Sequence, residues 1–317
     1  MKNKKYCNLH IDFCKQLPKC LIISASIILI GIIFTVLFGI DLDINFKGGS
    51  RFTYSYTGKV DTAAVDKTVE ETIKQKADIS ENSDFSGDTK YLVVTLVKDE
   101  ALSTDEQDSI LTALQEKYAD NNFELQDSSI VNPSIAGSFF VKSIAAVALA
   151  AIFVIIYIGI RFRKIGGVSA GVFAFVALIH DIIIAFMFTI IFRLQVDSNF
   201  IAVVLTILGY SLNDTIVVYD RVRENKKLYP KLSITENMNN SLNLSFTRTM
   251  MTSVATMLAV LIVLIVAEIN GITTIRTFAI PMLFGLLSGW YSSVFISGPL
   301  WVRWKTFKES KSAKKAN

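Results

Sequence analysis

Apolar residues gather into long unbroken runs along this chain, separated by polar stretches of very unequal length. Six runs reach the roughly 18 residues that a helix needs to cross a bilayer. They are Cys20–Ile40, Phe139–Ile160, Val168–Phe192, Asn199–Tyr219, Met250–Ala267 and Phe278–Val302. The first is followed at once by Asp41 and lacks a small-residue cleavage pattern, so it reads as a retained anchor rather than a signal peptide. The pattern divides the chain into a tail (residues 1–19), a first transmembrane helix (20–40), a long polar domain (41–137), a five-helix transmembrane bundle (138–302) and a basic tail (303–317).

Periodicity changes inside residues 41–137. "INFKGGSRFTYSYT" alternates late, with Phe52, Tyr54 and Tyr56 on one side of a strand. "VDTAAVDKTVEETIKQK" places Val65, Val69 and Ile73 on one helical face. A weak strand near Ile79–Phe85 and a strong one in "YLVVTLV" follow. "STDEQDSILTALQEKYA" predicts a helix with a Ser103–Glu106 capping box and an apolar face of Ile110, Leu114 and Tyr118. "FELQDSSIV" closes as a strand. The order βαββαβ predicts a ferredoxin-like α+β domain, large enough to bury its own core. The expected architecture is a polytopic α-helical membrane protein with six transmembrane helices and this domain between helices one and two.

Charge orients the prediction. The tails and the loops after spans two and four hold most of the basic residues, including Arg161, Arg163, Lys164, Arg221, Arg223, Lys226, Lys227 and Lys231, while the loops after spans three and five hold one Arg each, Arg193 and Arg276. The positive-inside rule then puts both termini in the cytoplasm and the polar domain outside. That domain carries 9 Lys/Arg against 19 Asp/Glu, a balance of −10 within a chain of net +4. The excess positive charge therefore lies on membrane-flanking segments and implies no nucleic-acid partner. Cys7, Cys14 and Cys20 all lie at the cytoplasmic end at no metal-ligand spacing, and read as free thiols without a disulfide framework.

Polar groups within the apolar runs mark candidate chemistry. Asp214, beside Asn213, sits six residues before Asp220, about 9 Å inside the cytoplasmic face at a rise of 1.5 Å per residue. A carboxylate there costs about 2.5–3.5 kcal/mol, and either a cation partner or a retained proton relieves that cost. Arg248 enters from the same side one span later. The pair reads either as a proton-transfer element, whose Arg approaches and withdraws, or as a static ion pair that fixes packing; Arg248 also has the option of snorkelling. Asp181 is more central, has no basic residue at contact spacing, and sits beside His180, which a helix turns about 100° away. It reads equally as a hydrogen-bonded tie between helices. Glu268 lies near the outer water. Arg221 and Arg223 read as anchors.

Small residues (Gly167, Gly171 and Ala174; then Gly285, Ser288, Gly289 and Ser292) predict close helix contacts. "SITENMNNSLNL" has a Ser233–Glu236 capping box and predicts a short helix on the cytoplasmic interface, with Ile234, Met238 and Leu242 on one face. No nucleotide-binding loop, hydrolytic triad or metal spacing occurs, so no enzyme is expected.

"NFKGG", "ALIHDIIIAF", "GYSLNDTIVVYDRVREN" and "SFTRTMMTS", in that order, resemble the SecF family of protein translocase subunits, within the SecD/SecF family of the resistance-nodulation-division superfamily. The resemblance covers nearly the whole chain. It implies an accessory subunit of the Sec export translocase that uses the proton-motive force to promote preprotein translocation and release. Its implied partners are a SecD homologue, the SecYEG channel, unfolded preproteins and membrane lipids, with no cofactor, in a bacterial plasma membrane. It implies a proton relay of Asp214 and Arg248, with Asp181 at a further family position, and a span-four motif including Tyr210, Asn213, Asp220 and Arg221. The segment after span one is Asn45, Phe46, Lys47, Gly48, Gly49, where the family usually has Asp in place of Asn45; Asp43 is the nearest substitute, and the glycines suit a tight turn. The alternative is a proton-driven small-molecule or lipid exporter subunit of the same superfamily.

Overall fold

The computed structural model describes residues 11–74, 77–83, 90–96, 104–162, 167–269 and 272–316. Cys7, Ser103 of the expected capping box, Phe85, Arg163 and Lys164 lie outside them. Among the described residues, six helices are long and apolar enough to cross a membrane. The transmembrane helices are α1 (Phe13–Phe38), α5 (Pro133–Arg161), α6 (Gly167–Ile191), α7 (Ser198–Leu228), α8 (Ile234–Ile269) and a last span formed by α9 (Thr273–Ser292), a π turn (Ser293–Ser297) and α10 (Gly298–Ala316). Between α1 and α5 lie α2 (Ile44–Lys47), β1 (Gly49–Tyr56), α3 (Thr62–Ile73), β2 (Asp78–Ser83), β3 (Lys90–Leu96), α4 (Thr104–Lys117) and β4 (Glu124–Val131).

The four strands form one antiparallel sheet in the order β2-β3-β1-β4, the ferredoxin-like arrangement. Alternation decides its inner face: Phe52, Tyr54 and Tyr56 of β1 and Leu92, Val94 and Leu96 of β3 all point into one core. Val65, Val69 and Ile73 of α3 and Ile110 and Leu114 of α4 cover them, on the helical faces read from their spacing. Tyr56 stacks on Phe123 at 5.1 Å.

The start of the domain departs from the expected strand. Ile44–Lys47 is a single helical turn, because Asp43 caps it by accepting from the Asn45 amide at 3.1 Å. Gly48 and Gly49 then turn the chain into β1 at φ +81° and +133°. At Gly48 a Cβ would lie 2.8 Å from Pro133 Cα, and at Gly49 2.3 Å from the Leu96 carbonyl oxygen. Both the dihedrals and the contacts therefore require glycine.

This turn ties the sheet domain to the bundle. Asp43 is buried and pairs with Arg51 at 3.0 Å. Arg51 also donates to Gln195 Oε1 at 2.8 Å, in the link between α6 and α7. Leu42 bridges Val196 in parallel, with Asp43 N–H to Val196 O at 3.0 Å and Val196 N–H to Asp41 O at 2.8 Å. The same link supplies Asp197, which caps α7 through the Phe200 amide at 3.2 Å.

The segment expected to be a separate interfacial helix is the beginning of α8. Its capping box forms, with Ser233 N–H to Glu236 Oε2 at 2.9 Å and Glu236 N–H to Ser233 Oγ at 3.2 Å. No Pro or Gly interrupts the following residues, so the helix continues unbroken to Ile269. Its apolar face, including the buried Met238 and Leu242, packs on protein. Asn239 and Asn243 of this turn bond the backbone of Cys14 and Ile11. In the last span Pro299 has no amide proton for the carbonyl four residues back, and the preceding turn widens to a π turn.

Candidate functional site

Spans three, four and six (α6, α7 and α9 with α10) form the inner layer of the bundle, and α1, α5 and α8 surround it with largely apolar outer faces. The inner helices approach closely where their residues are small. A Cβ on Gly285 would lie 2.1 Å from Ile207 Cδ1, and one on Gly289 would lie 2.9 Å from Ser211 Cβ. Gly171 does the same for α5 and α6, with Ile158 Cγ2 at 3.1 Å. Such contact brings short hydroxyl side chains within bonding reach of the opposite helix.

Asp181 is fully buried at the centre of this layer. Three serine hydroxyls donate to it: Ser211 of α7 to Oδ2 at 2.7 Å, Ser288 of α9 to Oδ1 at 2.7 Å and Ser292 of α9 to Oδ2 at 2.8 Å. His180 joins them, with Nδ1 3.1 Å from Oδ1, so the expected separation of the two side chains does not hold. The backbone directions diverge by 100°, but an imidazole is long enough to bend back onto its neighbour. His180 Nε2 lies 2.9 Å from Ser24 Oγ of α1. Asp181 is thus a hydrogen-bonded tie among three helices, extended by His180 to a fourth.

Asp214 sits about one turn farther along α7, 2% exposed, and accepts from Ser253 Oγ of α8 at 3.0 Å. Its neighbour Thr215 meets Ser293 Oγ at 2.8 Å, and Ser293 donates to the Ser211 carbonyl at 3.2 Å. Serines and a threonine therefore line the seam from Asp181 to Asp214. Arg248 is not in ion-pair contact with Asp214. It precedes Ser253 by five residues, about 7.5 Å along the axis and some 140° around it, and the buried side at that level is taken by Thr249. Arg248 instead lines a groove of about 460 Å³ between α7 and α8, with Ile216, Asp220, Arg221, Glu224 and Lys227.

The remaining motif residues serve different places. Tyr210 donates to the Thr252 carbonyl at 3.0 Å and meets Thr256 Oγ1 at 2.9 Å, fastening α7 to α8. Asn213 points out of the bundle. Asp220 holds Arg161 of α5 at 2.5 Å and Arg223 at 3.3 Å, while Arg221 bonds Glu224 at 2.7 Å. Glu268 is paired with Arg276 across the turn between α8 and α9. Asn45, Phe46, Gly48 and Gly49 lie at the neck of the sheet domain, apart from the buried carboxylates, where Phe46 packs on Phe139 and Phe140. Reading the sequence assigned no role to Ser24, nor to Ser211 and Ser253, although these two lie inside the quoted motifs. Ser288 and Ser292 were read only as small residues, although hydroxyls four apart on one apolar helix face were a usable signal. Among the described residues no cluster of three or more His, Cys, Asp or Glu side chains offers a metal site.

The comparisons with known proteins agree with this architecture. A family model described as protein export membrane protein SecD/SecF, C-terminal, matches residues 110–307. The protein translocase subunit SecF of Sebaldella termitidis is 34% identical over 290 residues, covering 91% of this chain and 90% of that protein. The chain belongs to the SecF family. SecF of Alicyclobacillus acidocaldarius is also 34% identical, over 93% of this chain and 92% of its own length. The crystal structure of SecDF from Thermus thermophilus, described as a translocon-associated membrane protein, superposes with a TM-score of 0.79 at 26% identity over 95% of this chain. This SecF-family chain spans only 40% of that SecDF chain. The family identifies it as a multi-pass membrane protein and a non-enzymatic subunit assisting Sec protein export.

Proposed function

We propose that the chain is the proton-driven half of an export accessory complex, with Asp214 as the proton carrier, Arg248 as the charge that controls it and Asp181 as a second carrier. One observation carries the reading. Among the described residues, a carboxylate buried at membrane depth has a single serine donor, while a cation one helix away is in no ion pair with a carboxylate. An ionised carboxylate offers about four acceptor sites, so one hydroxyl leaves Asp214 poorly satisfied. Asp214 takes a proton while Arg248 stands away and gives it up when Arg248 swings in. The hydroxyl seam to Asp181 supports passage between the two carboxylates. The neck at Asp43, Arg51 and Val196 supports transmission of α7 movement to the sheet domain. A static ion pair is disfavoured because the two side chains are out of contact.

The proposed partners are a SecD homologue, the SecYEG channel and unfolded preproteins, in a bacterial plasma membrane with both termini cytoplasmic. Asn213 and Arg248 present polar groups on the outward faces of α7 and α8. Facing lipid they would be costly, and a second six-span unit would cover them. The test is release of preprotein from vesicles containing the chain, its partner subunit and the channel at fixed ATP, with and without a proton gradient. Asp214→Asn and Arg248→Met should insert normally and lose gradient stimulation. Full stimulation in Asp214→Asn would refute the relay.

A further inference from the structure

We propose that His180 is a two-ended proton carrier of this relay, and that its protonation state is passed to span one through Ser24. The proposal rests on the relay reading above and adds a residue and a mechanical link to it. The two ring nitrogens face different partners: Nδ1 meets Asp181 Oδ1 at 3.1 Å, and Nε2 meets Ser24 Oγ at 2.9 Å. A neutral ring carries one proton and an ionised carboxylate can only accept, so the neutral ring holds its proton on Nδ1 and accepts the Ser24 hydroxyl at Nε2.

A proton arriving at Nε2 changes the direction of that second bond. The Nε2 lone pair forms an N–H bond, the ring becomes an imidazolium beside the Asp181 carboxylate, and Nε2–H donates to Ser24 Oγ. The Ser24 hydroxyl, no longer able to donate to the ring, must turn; the carbonyl of Cys20, four residues back, is the local acceptor, and it already receives the Tyr291 hydroxyl at 2.8 Å. Breaking Nδ1–H and forming O–H on Asp181 Oδ1 then returns the ring to neutrality in its other tautomer. One proton has entered at Nε2 and left at Nδ1.

The surroundings suit this exchange. The titratable groups near the ring are Asp181 on its own helix, the Tyr291 phenol on α9, whose ring centroid is 6.4 Å away, and the buried Cys20 thiol on α1, one turn before Ser24. Ser288 Oγ lies 3.4 Å from Nδ1. From α7, Ser211 reaches the carboxylate rather than the ring. Among the described residues the ring's one ion-pair partner is Asp181. A cavity of about 250 Å³, walled by Ile23, Ile184, Phe188, Phe284 and Leu287, adjoins the ring and leaves it room to turn.

Span one is built to carry the change. It runs parallel to α6, in contact at Ser24 with His180 and, seven residues on along each helix, at Gly31, where a Cβ would lie 2.3 Å from Met187 Sδ. From Ser24 the helix continues unbroken to Phe38, about 21 Å. It then reaches the Leu42–Val196 bridge and the Asp43–Arg51 pair at the neck of the sheet domain. A bond reversed at Ser24 is therefore applied to the rod on which that domain is mounted.

Two measurements test the proposal. The chain has only two histidines, His10 and His180, so His10→Gln in the full chain leaves one imidazole for nitrogen NMR in lipid nanodiscs. The neutral ring should be the Nδ1–H tautomer, and acidifying the nanodiscs should populate a form protonated at Nε2. Asp181→Asn should abolish the Nδ1–H preference. A ring that stays in one neutral tautomer throughout would overturn the proposal without reference to export.

In the vesicle assay His180→Asn keeps a hydrogen-bonding group near Nδ1, and His180→Gln keeps one near Nε2. Both lose the proton, and both should reduce gradient-stimulated release by at least about tenfold. Ser24→Ala should change the pH profile of the stimulation. Full stimulation in either His180 variant, alongside loss in Asp214→Asn, would overturn the role of His180 and leave the relay standing. Full stimulation in Asp214→Asn would remove the relay and this inference with it.

Discussion

Gly289→Ala tests whether the packing of α9 on α7 positions the buried carboxylate. The added methyl would sit 2.9 Å from Ser211 Cβ and 3.2 Å from Ser211 Oγ. Carbon atoms rest about 3.5–4.0 Å apart, so the helices must separate by roughly 0.6–1 Å at this point. Ser211 Oγ now lies 2.7 Å from Asp181 Oδ2. A shift of that size takes the bond past the roughly 3.0 Å limit for O–H···O contacts. Overpacking costs about 1–3 kcal/mol, and losing a hydrogen bond to a charged group costs about 1.5–3 kcal/mol. Alanine recovers roughly 1 kcal/mol of helix propensity. The net destabilisation should be about 1.5–5 kcal/mol, read from equilibrium unfolding in mixed micelles. Gly209→Ala, on α7 with nothing within 4 Å of its Cβ position, is the control and should be neutral or slightly stabilising. A double-mutant cycle isolates the cause: Ser211→Ala should be costly in the wild-type background and nearly neutral beside Ala at position 289. If Gly289→Ala behaved like Gly209→Ala to within about 0.5 kcal/mol, the proposed packing of α9 against Ser211 would be wrong.

Residues 42–135, expressed alone, should fold as an α+β monomer, and a random-coil circular dichroism spectrum would refute an independent domain. In that fragment Tyr54→Phe should be neutral or stabilising by up to about 1 kcal/mol, because the buried Tyr54 hydroxyl has no hydrogen-bond partner among the described residues; a clear loss in chemical denaturation would contradict this. Lys90, 2.5 Å from Glu81, holds that carboxyl below its ordinary value by hydrogen bonding. The contribution is full above the unfolded glutamate value of about 4.3 and is lost as pH falls through the lower folded value. Lys90→Met should therefore flatten the acid limb of the fragment's melting curve, and an unchanged limb would argue against the pair. Reporter fusions after Asp99 and after Lys311 should report the outside and the cytoplasm respectively, and the same side for both would exclude the six-span topology.

Local pattern alone determined much of this protein. Runs long enough to cross a bilayer located all six spans, because a helix in lipid must satisfy its backbone internally and cover itself with apolar side chains. Alternation at Phe52, Tyr54 and Tyr56, and 3.6-residue spacing at Val65, Val69 and Ile73, located the faces of the sheet domain, because burial there follows the geometry of one element at a time. The depth of Asp181 and Asp214 was equally legible, since it is only a count of residues along a helix.

What meets those carboxylates was decided by the tertiary structure. Ser253 rather than Arg248 bonds Asp214, because the rotation of α8 against α7 sets which side of that helix faces inward. The same holds for Ser211, Ser288 and Ser292 on Asp181, which come from two other helices. Segment 233–244 has the composition of an interfacial helix, yet with no Pro or Gly to stop it the helix runs on into span five, and Asn239 and Asn243 find backbone partners at Cys14 and Ile11. One turn at Ile44–Lys47 replaces the start of a strand because Asp43 caps it and is itself held by Arg51. A membrane-buried polar group is specified by its partners across helices, and the spacing of residues along one chain segment carries no record of how its neighbours are turned.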